Sequence, residues 1–428
     1  MKFFYFLSIA FVLTMPVQLR SQTEHPAIGT TVKSADGNFT ITLLTRKQNY
    51  SYAESSTLDK DIRSPKSVNI HPDGTKYYVN SLEGGKTVVY ATGSNEKLKV
   101  IEHEFTEADS LLWSKPSGLY PFTHYKKNLN TFRGKPVESA FSHGGRYLWV
   151  PYYRRSYDIN AQDPSAVAVI DTKTDSIIRM METGPLPKMV AVSGDNRYVA
   201  ITHWGNNTVG IINIASDSPD DWHYEACVTV QRKLTLNYSL TTSVNRDVNS
   251  GLCLRGTVFT PDGRYLLVGC MGGNGGIAVI DLKDFSYLGN IYGMMTNLRH
   301  IVIRNDYIYL SINKDGYIQR TSLASLYEAI GQIENGKVTL KDWENCKVAA
   351  GARTIDITPD GRYVVAACNF SSRLVVVDTE SFKEIARIAA DSYPVGLDVS
   401  KDGKYVYTTS QGREGGGGNC VDIYQMVY

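Results

Sequence analysis

The sequence has almost no charge imbalance, and this argues against several classes of function. Its 428 residues carry 45 Lys and Arg against 43 Asp and Glu, a formal net charge of +2. Proteins that track a nucleic-acid backbone or an anionic membrane surface usually have a marked excess of positive charge. We therefore expect no nucleic-acid partner, and an anion site would have to come from a local cluster of cations.

Motifs for metal and haem binding are also lacking. The six cysteines form neither CxxC nor CxxCH, and the eight histidines form neither HExxH nor an HxH pair. Structural zinc and c-type haem thus lack their usual ligand spacing. The sequence predicts no metal site and no cofactor.

Long apolar runs are missing except at the N-terminus, where Lys2 precedes the run Phe3 to Met15 and a polar stretch follows from Gln18. This pattern is typical of a secretory signal peptide, and the run is too short for a comfortable membrane span. We predict a signal peptide over residues 1–21 and one mature domain over 22–428. The protein would be exported, to the periplasm, the cell surface or the medium, and would not span a membrane.

What the sequence does contain is a repeat. SPKSVNIHPDGTKYYVNS begins at Ser64, LRGTVFTPDGRYLLVGC at Leu254, ARTIDITPDGRYVVAAC at Ala352 and PVGLDVSKDGKYVYTTS at Pro394. Each is an alternating apolar strand, an Asp-Gly turn, and a second strand opened by a basic residue and Tyr. Asp-Gly between alternating runs is a strong hairpin signal. Weaker copies begin at Lys135, Leu186 and Asn297, the last with a shortened turn.

Third and fourth strands follow most hairpins, for example RLVVVDT and EIARIAA after the hairpin that begins at Ala352. Seven such repeats predict an all-β fold, a seven-bladed β-propeller of four-stranded antiparallel blades. The last repeat ends after its third strand, so NFTITLLTR near Asn38 is predicted to join it and close the ring. An eight-bladed ring and an open sandwich are the alternatives.

The PDG turn, followed by a basic residue, an aromatic residue and a YV-like strand, resembles the YVTN-type β-propeller repeat family. The resemblance covers nearly the whole mature chain and implies an exported, lactonase-like seven-bladed propeller. The family includes surface proteins and relatives of lactonases and quinoprotein dehydrogenases. The five tryptophans do not recur at one repeat position, which disfavours the tryptophan-docked quinone of the latter.

One face of the predicted ring carries most of the insertions. Residues 106–134, 231–253 and 49–63 join successive blades, and the loop from Tyr153 to Ser165 lies on the same side. Counting eight residues back from each turn gives one equivalent position at the start of every innermost strand. Five of the seven are basic, Lys66, Lys188, Arg255, Arg299 and Arg353, whereas Val137 and Val395 fill the others. These cations are predicted to converge at the channel mouth and bind an anion.

A second set of candidate ligand-binding residues lies at or beside the ends of the second strands: Tyr152, Tyr153, Arg154, His203 and Trp204. Aromatic rings beside hydrogen-bonding groups suit sugars or planar ligands.

Near the same face, Cys253 and Cys270 are the first candidate disulfide, with Cys227 to Cys253 as the rival pairing.

Two functions remain open. The preferred interpretation is an exported binding protein that recognises an anionic small molecule, an acidic glycan or a protein segment at the channel mouth. The alternative is a hydrolase of the lactonase type that uses His300 and Glu138 in the same funnel as base and acid.

Overall fold

The computed structural model describes residues 24–50, 54–120, 131–235, 244–412 and 417–428. The predicted signal peptide lies outside these ranges. Seven antiparallel sheets of at least four strands each surround a central channel, so the prediction of an all-β, seven-bladed propeller is confirmed. Each blade begins with an innermost strand, and the innermost strands of successive blades contact one another around the ring.

Within each blade the strands run outward from the innermost one, and in blade 7 the outermost of the four comes from the N-terminal part of the chain. They are Pro65–Ile70, Lys76–Ser81, Lys86–Ala91 and Lys97–Glu102 in blade 1; Ala140–Ser142, Tyr147–Arg155, Ser165–Asp171 and Ser176–Thr183 in blade 2; Pro187–Val192, Tyr198–His203, Thr208–Asn213 and His223–Thr229 in blade 3; Leu254–Phe259, Tyr265–Cys270, Ile277–Asp281 and Ser286–Tyr292 in blade 4. They continue with Leu298–Arg304, Tyr307–Ile312, Tyr317–Ser322 and Glu344–Lys347 in blade 5; Ala352–Ile357, Tyr363–Cys368, Arg373–Asp378 and Lys383–Ala389 in blade 6; Pro394–Val399, Tyr405–Ser410, Cys420–Val427 and Thr40–Gln48 in blade 7.

Blade 7 closes the ring with strands from both ends of the chain. Thr40–Gln48 pairs antiparallel with Cys420–Val427, and the register runs from Thr40 opposite Val427 to Gln48 opposite Cys420. The strand predicted near Asn38 therefore takes the expected place, and Thr31–Lys33 adds a short fifth strand outside it. Closure from both ends protects sheet edges that would otherwise be free to pair with another chain.

The turn between the first two strands explains the PDG signature. In blade 4, the Thr260 hydroxyl donates to the Asp262 carboxylate and accepts from the backbone N–H of Tyr265. Gly263 then takes a positive φ of 68°, which a residue without Cβ adopts at no steric cost. Arg264 forms a two-pronged ion pair with Asp281, at the end of the third strand. The repeated motif is thus explained by local structure on this side of the ring, which we name the turn face.

The described part of the chain has eight apolar clusters, of which seven lie one between each pair of adjacent blades and the eighth joins Ala161, Leu186 and Trp204. Alternate residues of the middle strands supply the core, because each blade buries both faces against its neighbours. At the interface of blades 7 and 1, for example, the rings of Tyr77 and Tyr407 lie 4.9 Å apart. Each fully buried Leu, Ile or Val contributes roughly 1.5–3 kcal/mol, so the ring forms a rigid scaffold.

Additional elements decorate this scaffold. Glu104–Phe105 and Phe132–Pro136 extend blade 2, and Lys337–Thr339 adds a parallel strand to blade 4. The helix Leu323–Gly331 packs against blades 4 and 5, and the short 3-10 helices are Glu107–Leu112, His143–Gly145 and Pro219–Asp221. The helix lies in an insertion between the third and fourth strands of blade 5, which sequence analysis did not recognise.

Candidate functional site

A β-bulge places each of the predicted basic residues. In six blades the innermost strand has one extra residue relative to its partner: in blade 1, Pro65 pairs with Ser81 and Ser67 pairs with Asn80, so Lys66 has no cross-strand partner. The other residues inside these register shifts are Lys188, Arg255 with Gly256, Arg299, Arg353 and Val395. A bulge re-aims a side chain away from the regular alternation of a strand. The equivalent positions found by counting are therefore equivalent in backbone structure as well.

The chain enters these bulges through a recurring left-handed residue. Two positions before each of the six, φ is positive, at Ser64, Leu186, Cys253, Asn297, Gly351 and Tyr393. Five of these six are not glycine, and such conformations cost of order 1–3 kcal/mol each for a non-glycine residue. The strained entry and the bulge together form one repeated local structure at the channel mouth.

The five cations converge, as predicted, on a single cavity, which we call the funnel. It has a volume of about 720 Å³. The residues that line it are Lys66, Leu82, Glu83, Lys135, Val137, Tyr153, Arg154, Lys188, Trp204, Asp247, Arg255, Met271, Asn297, Arg299, Asn313, Lys314, Arg353, Phe370, Tyr393 and Gln411. Eight are Lys or Arg and two are acidic, in a chain whose whole net charge is +2.

The two acidic residues neutralise only one edge of the funnel. Glu83 pairs with Lys135 at 2.8 Å. Asp247 pairs with Arg154 at 2.6 Å and with Lys188 at 3.6 Å. Within the described ranges, no carboxylate lies within 4.0 Å of the charged groups of Lys66, Arg255 or Arg299. Among the described residues, these three cations are therefore not paired with an acidic neighbour.

Burial and mutual repulsion depress the pKa values of the funnel cations. Burial, followed by the fields of Arg353 and Arg255, holds the pKa of Lys66 well below its usual range. Burial, with Arg255 next, does the same to the pKa of Lys188. Burial lowers the pKa of Arg255 to about 10 and, together with Arg255 and Arg353, depresses that of Arg299. A buried cation without a counter-ion is costly, and the field of Glu138 offsets only part of the repulsion at Lys66, Arg255 and Arg299.

Aromatic rings form part of the wall beside these cations. The Lys188 ammonium lies 3.8 Å from the centre of the Tyr153 ring and 5.0 Å from that of Trp204. The Arg255 guanidinium also lies 5.0 Å from the centre of Trp204. These cation–π contacts offset part of the missing charge pairing. Phe370 and Tyr393 line the wall in blades 6 and 7.

The second predicted set is only partly at the funnel. Tyr153, Arg154 and Trp204 line it, whereas Tyr152 and His203 are fully buried inside their blades. The Tyr152 hydroxyl bonds to His103 at 2.8 Å. His203 bonds to Thr208, and burial lowers its pKa to about 3, so its role in the structure is a neutral packing one.

The reason for this difference is strand alternation. In six blades the funnel is lined not by the last residue of the second strand but by the next one, since successive side chains point to opposite faces. These next residues are Leu82, Tyr153, Trp204, Met271, Asn313 and Gln411. The sequence signal was available, and a shift of one position finds this set.

The residues of the predicted hydrolase lie just below the funnel. Glu138 and His300 line a small space, the neck, together with Arg255, Arg299 and Arg353. The backbone N–H of Ile355 donates to His300 Nδ1 at 3.4 Å, which leaves the ring proton on Nε2. Burial lowers the pKa of His300 to about 4, so the ring is neutral at neutral pH. In this tautomer His300 presents a donor rather than a base to the neck.

The predicted disulfide does not form, since Cys227, Cys253 and Cys270 are all free thiols. Cys270 pairs across the hairpin with Leu254, and the left-handed conformation of Cys253 turns its side chain elsewhere. The Cys253 thiol contacts Ser250 at 3.1 Å, and that of Cys270 contacts Asn290 at 3.6 Å. Neither this pairing nor Cys227 to Cys253 is present.

Asp247 is the main residue that the sequence did not reveal. It belongs to the insertion between blades 3 and 4, part of which is described, and it reaches across to Arg154 and Lys188. The loop of blade 2 supports it, because the backbone N–H of Arg246 donates to the carbonyl of Asn160 at 2.9 Å. A loop contact of this kind has no periodicity and leaves no sequence signal.

No group of three or more His, Cys, Asp or Glu side chains in the described ranges is placed to hold a metal ion. Among the same residues, none of the helices combines the length and the apolar character that crossing a membrane needs. The predicted absence of metals and cofactors stays a prediction.

Comparison with known proteins identifies the fold. No family model matches the chain, and no curated protein matches it. A solved structure of Kuenenia stuttgartiensis hydrazine synthase is similar, with a TM-score of 0.56 and 13% identity over 84% of this chain and 96% of that one. The Cps50 (Swd1) β-propeller domain of Myceliophteria thermophila has the same TM-score and coverage at 10% identity. The likeness is to the propeller alone. Membership of the YVTN-type family remains a prediction.

Proposed function

We propose that this protein is an exported binding protein whose funnel holds an anionic ligand. The observation that carries the proposal is the charge of the funnel, where eight basic residues face two acidic ones and three of the cations have no acidic partner in the described ranges. A carboxylate, phosphate or sulfate would supply the missing counter-charge and form charge-assisted hydrogen bonds with the guanidinium groups. The volume of about 720 Å³ is that of a typical small-ligand site.

The shape of the site favours a small molecule or the end of an acidic glycan over a protein segment. The funnel is concave, and it narrows to the neck lined by Glu138 and His300.

Export rests on the N-terminal sequence pattern alone. Expression of the full chain with its leader, followed by fractionation and N-terminal sequencing, tests it; an intact N-terminus on a protein retained in the cytoplasm would contradict export.

Titration calorimetry with sulfate, phosphate and aromatic carboxylates at fixed ionic strength tests the site. Arg299→Met and Arg353→Met should each weaken binding by about tenfold or more, because each removes a charge-assisted contact. Arg264→Met is the matched control, since Arg264 is paired with Asp281 on the turn face, and it should leave affinity unchanged. Unchanged affinity in both funnel variants would refute the proposal.

The hydrolase alternative is supported by one observation, the shared location of Glu138 and His300 in the neck. A panel of lactones and esters tests it with the wild type and with His300→Ala. Turnover that His300→Ala abolishes would establish a hydrolase. We expect none, because the proton on His300 Nε2 and the backbone bond at Nδ1 leave His300 without a nitrogen that can act as a base.

A further inference from the structure

The funnel cations without an acidic partner lie on two sides of the ring. Lys66 lies on blade 1, whereas Arg255 and Arg299 lie on blades 4 and 5, across a ring of seven. One carboxylate forms a bidentate pair with one guanidinium. A ligand that satisfies both sides of the funnel therefore needs acidic groups that point in different directions.

Three other funnel cations, on blades 2 and 3, already have acidic partners. Asp247 holds Arg154 and Lys188, and Glu83 holds Lys135. The positive charge that has no acidic partner in the described ranges is thus concentrated on Lys66, Arg255 and Arg299. Arg353 lies beside the last two at the neck. A single negative charge on the ligand would leave most of this positive charge unpaired.

The aromatic wall beside the cations is suited to contact with a ring of the ligand. Tyr153, Trp204, Phe370 and Tyr393 line the funnel from blades 2, 3, 6 and 7. Trp204 is only 7% exposed, and its indole Nε1 has no hydrogen-bond partner in the described ranges. An inorganic anion would fill little of the volume of about 720 Å³.

We propose that the ligand is a ring-bearing polyanion, a cyclic or aromatic organic acid with two or more acidic groups held at once by Lys66 on one side and by Arg255 and Arg299 on the other. This inference rests on the proposed function and narrows the class of ligand. The acidic groups bind deep in the funnel, and the ring lies against the aromatic wall.

A valence series provides the test. Benzoate, isophthalate and trimesate carry one, two and three carboxylates on the same ring, and calorimetry measures each with the full chain at fixed ionic strength. Affinity should rise by about tenfold with each added carboxylate. The acyclic propane-1,2,3-tricarboxylate should bind at least about fivefold more weakly than trimesate, because it lacks the aromatic face.

Two variants locate the effect. Lys66→Met should weaken trimesate binding by about tenfold and leave benzoate binding unchanged. Lys173→Met is the matched control, since Lys173 is exposed on the turn face, away from the funnel, and it should change neither. Thermal unfolding of both variants without ligand confirms that they are folded.

The outcomes separate the two proposals. Benzoate binding as tightly as trimesate would overturn the polyanion inference and leave the anion-binding function standing. Equal binding of the cyclic and acyclic tricarboxylates would overturn the role of the ring. If no member of the series and no inorganic anion binds, both proposals fail.

Discussion

The innermost strands carry two groups of like charges, at positions that lie three residues apart in the repeat. Only one of the two groups is compensated within the fold. The funnel holds Lys66, Arg255 and Arg299 without an acidic partner in the described ranges. Below it, Asp356 and Asp398 of blades 6 and 7 lie within hydrogen-bonding reach of each other, and burial raises the pKa of both, Asp398 well above its usual range.

The acidic pair is fully used by the fold. Asp356 accepts the backbone N–H of Val399 at 2.9 Å, and Asp398 accepts that of Ile70 at 2.6 Å. These bonds join blade 6 to blade 7 and blade 7 to blade 1, and a proton retained by the pair relieves its repulsion. Hydrogen bonds and a retained proton thus compensate the acidic pair within the fold, whereas Lys66, Arg255 and Arg299 have no acidic partner within 4.0 Å in the described ranges.

The largest expected effect comes from removing two funnel cations together. Arg255→Met combined with Arg299→Met should weaken trimesate binding at least about a hundredfold, since two charge-assisted contacts are lost. The free energy of unfolding should stay constant or rise, because uncompensated buried charge is removed. Calorimetry and denaturant unfolding measure the two effects, and a marked loss of stability would show that these arginines support the fold.

The acidic pair should behave in the opposite way. Asp398→Ala leaves the N–H of Ile70 without its acceptor at the joint of blades 7 and 1, and it should lower the free energy of unfolding by about 1–3 kcal/mol. Asp398→Asn is the matched control, because its amide oxygen can still accept this N–H. Urea unfolding distinguishes them, and equal stability of the two variants would contradict a clamp at this joint.

The pH dependence of stability sharpens the comparison further. A carboxyl group whose pKa is raised in the folded state stabilises the fold below its unfolded pKa of about 3.9, and this contribution is lost as pH rises through the folded pKa. Asn cannot ionise, so Asp398→Asn should gain stability relative to the wild type as pH rises from 4 to 8. Urea titrations at several pH values measure the difference in the free energy of unfolding between the two proteins. A difference that does not change with pH would contradict a raised pKa of Asp398.

A smaller effect is expected at the neutralised edge of the funnel. Asp247→Asn releases Arg154 and Lys188 from their shared carboxylate. Affinity for trimesate should then rise about three- to tenfold, in line with one more unpaired positive charge near the ligand. Asp217→Asn is a suitable control, since Asp217 lies on the turn face beside His143 and Lys173. A loss of affinity in Asp247→Asn would mean that Asp247 positions the other residues rather than opposing the ligand.

The smallest effect concerns the thiols. Because all six cysteines are free, a reducing agent should not change the free energy of unfolding. A destabilisation on reduction, checked by mass measurement of alkylated protein, would show a disulfide.

Sequence reasoning recovers the periodic part of this molecule. The blade count, the closing strand near Asn38 and the five converging cations all follow from one repeat, because the blades repeat the same hairpin and six of them repeat the same bulge. It fails where a single residue of register decides the outcome: Tyr152 and His203 occupy the last strand position and point inward, whereas Tyr153 and Trp204 point to the funnel. It also fails for Asp247, whose place depends on two loops from different blades.

The bulges at the start of the innermost strands have a further consequence for how such a ring can change. A side chain that has no partner across the ladder can be exchanged without altering a strand register or a neighbouring blade. Val395 in one bulge and the cations in the other five already show both kinds of occupant. The propeller therefore offers a ring of interchangeable positions around one pocket, where new ligand preferences can arise by single substitutions while the scaffold stays the same.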